Sequence, residues 1–124
     1  LVARHLELYN EPPDLFTAGG MASAIALAAA LEKTGGDATG DVLAAALEGL
    51  KFEGPKGTYY IRPGDHVCEQ PMNILKLVNI NPDTDGDGVN DYKFFETVYV
   101  SEYNELGVPC TLQGDYASRC DMNK

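Results

Sequence analysis

The stretch "KFEGPKGTYYIRPGDHVCEQPMNILKLVNI", Lys51–Ile80, sets glycine and proline turns between short runs rich in β-formers. "GPKG" at 54–57 reads as a turn, since no helix and no Ser or Thr directly after the Lys follow it as a phosphate loop requires. "GTYYIR" at 57–62 has the aromatic and β-branched content of a strand, and "PGDH" supplies another turn. In "PMNILKLVNI", Met72, Ile74, Val78 and Ile80 share one face while Leu75 and Leu77 occupy the other, which predicts an interior strand.

Working toward the N-terminus, "DVLAAALEGL" at 41–50 places Leu43, Ala46, Leu47 and Leu50 on one helical face, with Thr39 or Asp41 as the cap. Before it, Met21, Ala24, Ile25, Ala28 and Leu31 recur at helical spacing in a helix so apolar that burial on most sides is expected, and "TGG" at 34–36 stops it. "LFTAGG", Leu15–Gly20, reads as an extended segment and tight turn leading into that helix. Residues 3 to 9 resemble the last turns of a helix ended by "YNEPPD". The chain opens "LVARHLELY" without Met, and is read as a piece of a longer protein.

Toward the C-terminus, "YKFFETVYVSE", Tyr92–Glu102, alternates Phe94, Val98 and Val100 against Phe95, Thr97 and Tyr99, the pattern of a half-exposed strand. The remainder lacks periodicity and reads as a loop-rich tail. The expected fold is therefore α/β, helices first and then a small sheet, over 124 residues that suffice for one core.

Nineteen acidic residues against nine basic give a net charge of −10, with no Lys/Arg stripe, which argues against nucleic acid and anionic membranes as partners. The longest apolar run, Met21–Leu31, is too short to cross a bilayer. Cys110 and Cys120 have the spacing of a local loop disulfide, which would imply an oxidising compartment, while the pairing of Cys68 stays open.

The order of these segments resembles the C-terminal third of periplasmic solute-binding proteins of the branched-chain amino acid ABC transporter type. The residues that carry the resemblance are Phe52, Gly54, Pro55 and Gly57, then Arg62, Asp65, His66, Gln70 and Pro71, within a match covering about residues 1–80. It implies a two-lobed type I periplasmic-binding fold that closes on a small polar solute, such as an amino acid or amide, and hands it to an ABC permease. It also implies a periplasmic or extracellular location, with lipid anchoring of the full-length protein left open. Where the family often has an aromatic residue and Asp after a glycine, this chain has Gly20, Met21, Ala22 and Ser23, so Gly20 and Met21 are the candidate ligand contacts and amino-acid specificity is in question. No family counterpart is evident from Asn81 onward, which divides the chain into a solute-binding segment, 1–80, and an extension, 81–124.

That extension begins with an acidic loop. Asp83, Asp85, Asp87, Gly88 and Asp91 fit positions 1, 3, 5, 6 and 9 of a calcium loop, with the Val89 carbonyl at position 7. Oxygen donors without His or Cys select Ca²⁺. Position 12 is Phe94 where an EF-hand has Glu, and position 8 is Asn90, so the loop is closer to the shorter bacterial and thrombospondin-type calcium repeats, with Glu96 or Asp91 completing the shell. The alternative reading of the whole chain is a calcium-stabilised extracellular interaction module. An enzyme is not expected: Asp65, His66 and Cys68 lie close in sequence but lack an orienting third group and an oxyanion site. Strands without sheet partners make a homo-oligomer of the piece conceivable.

Overall fold

The structure is a computed structural model that describes residues 1–81, 83–88, 91 and 93–120, with the backbone alone at Leu15. Helix α1 spans Val2–Tyr9 and ends at Asn10, whose left-handed conformation (φ 55°) lets its amide reach the Leu6 carbonyl. Pro12 and Pro13 keep the chain extended up to Asp14.

Helix α2 runs from Leu15 to Lys33, so "LFTAGG" is its first part and not the extended segment and turn expected. The deciding residue is Asp14, whose carboxylate accepts the Thr17 amide at 2.7 Å and the Thr17 hydroxyl at 2.9 Å. Those bonds, the amide first, hold the Asp14 carboxyl below its usual range. This cap and the long Ala/Leu run outweigh the cost of Gly19 and Gly20, about 1 kcal/mol each in a helix interior.

The expectation that α2 is buried on most sides also gives way. Only a stripe is covered, Ala22, Ala26 and Ala30, spaced four apart, while Phe16 is 82% exposed and Met21 and Leu27 also face out. The helix stops where Gly36 donates to the Leu31 carbonyl at 2.8 Å, a closure requiring the positive φ of Gly35 and Gly36. Lys33 then reaches the Ala46 carbonyl at 3.0 Å, tying this end to helix α3, Gly40–Leu47. Thr39 occupies the N-cap position of α3 without a side-chain bond, and Asp41 lies in its first turn.

Strands β1 (Lys51–Gly54), β2 (Gly57–Ile61) and β3 (Cys68–Glu69) form an antiparallel sheet in that order. Strand β1 lies in "KFEG", which carries too few residues to show a period of two. Its register places Phe52 opposite Tyr59 and Gly54 opposite Gly57 across the Pro55–Lys56 turn. The two rings stack at 5.0 Å, and Tyr59 continues over Gly54, where an added Cβ would come within 2.6 Å of its ring. The glycine is therefore demanded by the neighbouring aromatic. Phe52 and Tyr59 pack with Ala22 and Ala26 to make the core, flanked by Ile25, Leu47, Leu50 and Ile61.

Strands β4 (Met72–Leu77) and β5 (Phe95–Ser101) pair antiparallel as a separate two-stranded ribbon, with an irregularity between Ile74 and Leu75. The apolar faces of residues 72–80 predicted an interior strand, yet every residue of β4 is exposed, and of β5 only Ser101 is buried. Two strands have no second layer to bury both faces. Among its described residues the tail carries a 3-10 helix at Gly114–Cys120, where only loop was expected.

Candidate solute-binding groove and acidic loop

An open groove of about 400 Å³ lies between α2 and the three-stranded sheet. Ala22, Ala26 and Leu27 form one wall, and Phe52, Tyr59 and Ile61 the other. Ser23, Cys68 and Gln70 bring polar atoms to its edge, where Gln70 Oε1 also accepts from Lys56 at 3.3 Å. Partial desolvation and then the adjacent Glu69 push the Cys68 thiol up, although the residue as a whole is exposed. Such a groove suits an apolar body with few polar groups.

Gly20 and Met21 are not in its lining: Gly19, Ala22 and Ser23 are. Once "LFTAGG" is helical, successive residues fan around the axis at about 100° each, which puts Met21 on the face away from Gly19, Ala22, Ser23, Ala26 and Leu27 and leaves Gly20 beyond their edge. The groove residues could have been found from the alanine spacing of four together with the facing Phe52 and Tyr59.

Beside the groove, Arg62 is buried with a partner on each side. It binds Asp65 through two nitrogens, at 3.1 and 2.5 Å, and Glu69 at 3.3 Å, with side-chain exposures of 7% for Arg62, 2% for Asp65 and 12% for Glu69. Burial alone would raise the Asp65 carboxyl; the Arg62 hydrogen bond, the Val67 amide and the guanidinium charge outweigh it and hold the group below the usual carboxylate range. Arg62 also donates to the Val108 carbonyl and so anchors the tail. Lys51 adds a second tether, lying 5.4 Å from the ring centres of both Tyr60 and Tyr103. Asp65 is thus a structural turn residue, and neither it nor His66 contacts Cys68 in a catalytic array among the described residues.

In the acidic loop, Asp83, Asp85 and Asp91 each bring one carboxylate oxygen within 4.8 Å of the others. Asp83 accepts the amides of Gly86 at 2.6 Å and Gly88 at 2.9 Å, bonds that curl the loop around it. Asp91 is held below its usual range by the Thr84 hydroxyl and then the Thr84 amide, with Lys93 3.7 Å away. Asp85 accepts the Asp87 amide at 3.2 Å. The Asp87 carboxylate and Glu96, which pairs with Lys76 in the ribbon, are outside the group of three. Val89 lies outside the described residues. The donor set is all oxygen, which fits a hard divalent cation. Cys110 and Cys120 are joined, with S–S 2.00 Å and Cα atoms 5.5 Å apart, and close the loop that holds the 3-10 helix; Cys68 is free.

A family model for periplasmic binding proteins matches residues 1–87. This chain belongs to the periplasmic binding protein family. The match runs past Ile80, where the resemblance was expected to end. Among solved structures, an ABC-type branched-chain amino acid transporter protein from Rhodopseudomonas palustris is 33% identical, with a TM-score of 0.67 over 85% of this chain and 26% of its own. An ABC transporter protein from the same species is 40% identical, covering 66% of this chain and 24% of its own, with a TM-score of 0.53. A solute-binding protein of an ABC transporter from Rhodopseudomonas palustris BisB5, solved with 3,4-dihydroxybenzoic acid, is 32% identical, covering 63% of this chain and 22% of its own at a TM-score of 0.56. No curated protein matches the chain significantly. The chain thus spans about a quarter of the length of these structures. They are transporter proteins, and none of them is an adhesion module.

Proposed function

We propose that this chain is part of a non-enzymatic, extracytoplasmic receptor that captures a small solute between two lobes and delivers it to an ABC permease. The supporting observation is the 33% identity and common fold with a branched-chain amino acid transporter protein over 85% of the chain. Residues 1–80 act as the C-terminal segment of the solute-binding domain and 81–124 as a fastening on it. Closure of one lobe on another is the way such a receptor converts solute contacts into a shape the permease reads.

The solute class is a small polar molecule such as an amino acid or amide, with Gly20 and Met21, which lie outside the groove lining, reaching the solute only in the closed protein. A second reading, an aromatic carboxylic acid, is favoured by the relative solved with 3,4-dihydroxybenzoic acid and by the Phe52–Tyr59 wall of the groove. A thermal-shift screen of the protein encoded by the complete gene, against amino acids, amides and benzoic acids, decides between them. A true solute at a hundredfold excess over its Kd stabilises by about 2.7 kcal/mol. Stabilisation by neither class would reject the receptor reading.

We further propose that Ca²⁺ binds Asp83, Asp85 and Asp91, with Asp87 adding to the shell, and pins the link between β4 and β5. The converging oxygens of the first three support it. A fall in thermal stability on chelation is the test.

A further inference from the structure

Two charged side chains compete for one nitrogen of His66. Its Nε2 lies 2.8 Å from Glu48 Oε1, at the end of α3, and 2.9 Å from Arg119 Nη2, in the 3-10 helix of the tail. A carboxylate only accepts, so the Glu48 contact requires hydrogen on Nε2. A guanidinium only donates, so the Arg119 contact requires the Nε2 lone pair, and with it a neutral ring protonated at Nδ1. One nitrogen meets these demands one at a time.

We propose that His66 is a protonation-controlled latch for the C-terminal segment. The neutral ring accepts from Arg119 and holds residues 114–120 against the body of the protein. The imidazolium donates to Glu48, loses the lone pair, and sets a like charge beside the guanidinium, so the segment is released. Among the described residues, the charged groups hydrogen-bonded to the ring are these two, from the elements on either side. Its own turn adds Asp65, which is engaged by Arg62 and leaves the exchange to the other pair. Histidine is the side chain that ordinarily supplies a charge switch near neutral pH.

The release is local. Arg62 still holds the Val108 carbonyl and the Cys110–Cys120 bond still closes the loop. The backbone at His66 is left-handed (φ 59°) and its amide donates to the Arg62 carbonyl at 3.0 Å, which fixes the turn that carries the ring. The latch is independent of which solute the receptor takes.

Amide hydrogen exchange followed by NMR at pH 5 and 8, expressed as protection factors to remove the intrinsic pH dependence, tests this. Protection of residues 114–120 should fall about fivefold at pH 5, the size of one exposed charged contact, while the core around Tyr59 is unchanged. His66→Asn preserves the left-handed turn, which asparagine tolerates, and should abolish the difference. If that variant folds poorly, Arg119→Gln in the same measurement should also abolish it. Equal protection at both pH values in the unaltered chain, or a drop that persists in a folded variant of either kind, overturns the latch.

Discussion

Replacing Arg62 by methionine should cost far more than any exposed ion pair. The side chain sits between Asp65 and Glu69 with almost none of the three exposed, and it contributes both arms of a two-point bond to Asp65. Methionine fills much of the space but leaves Asp65 as a buried carboxylate without a cation. Breaking a buried pair in this way costs about 3–5 kcal/mol, a large share of the roughly 5–15 kcal/mol that holds a domain folded. The loss should depend on pH. In the intact protein the Asp65 carboxyl is depressed, so its contribution is present above about pH 4 and disappears as pH falls through the lower folded value. In the variant, burial without the cation raises the carboxyl instead, and protonation relieves the penalty as pH falls. Urea unfolding followed by circular dichroism should therefore show a larger difference between the two proteins at pH 7 than at pH 4. The double change Arg62→Met with Asp65→Leu should recover much of the loss. A cost at pH 7 below about 1 kcal/mol, unchanged at pH 4, would refute the reasoning.

Three other outcomes are expected. Gly54→Ala should destabilise by about 1–3 kcal/mol, because the new methyl meets the buried Tyr59 ring at 2.6 Å; a neutral result in thermal unfolding would mean that the ring is free to move. Millimolar Ca²⁺ should raise Tm and chelator should lower it, with the response lost in Asp85→Ala; a flat response in the unaltered protein leaves only an acidic turn. Reducing the Cys110–Cys120 bond should lower the exchange protection of residues 114–120 while leaving that of Phe52 and Tyr59 intact, since the tail keeps its Arg62 and Lys51 tethers; loss of the whole core on reduction would contradict this.

The legibility of the sequence was uneven for physical reasons. The turns at 54–57 and 63–66 and the strand at 57–61 could be read because proline, glycine and aromatic residues act locally. The start of α2 could not, because a cap at Asp14 and a favourable helical run overrode two glycines that by themselves signal a break. The ribbon at 72–77 and 95–101 shows the opposite limit. Its pattern of apolar residues on both faces describes a strand with layers above and below, and the described residues do not provide them. The alanine spacing of four marks the wall that α2 gives the groove, but the facing of α2 against β1 and β2 relates segments some thirty residues apart, which no local pattern records. In the acidic loop the spacing picked out five positions, while the folded chain gathers the oxygens of Asp83, Asp85 and Asp91.

The receptor reading is tested most directly by isothermal titration of the protein encoded by the complete gene, combined with small-angle scattering. An amino acid, an amide or a small aromatic acid should bind one-to-one and reduce the radius of gyration as the lobes close, with the solute recovered unchanged. Absence of binding by every member of these classes, or recovery of the solute as a chemically altered product, would contradict it.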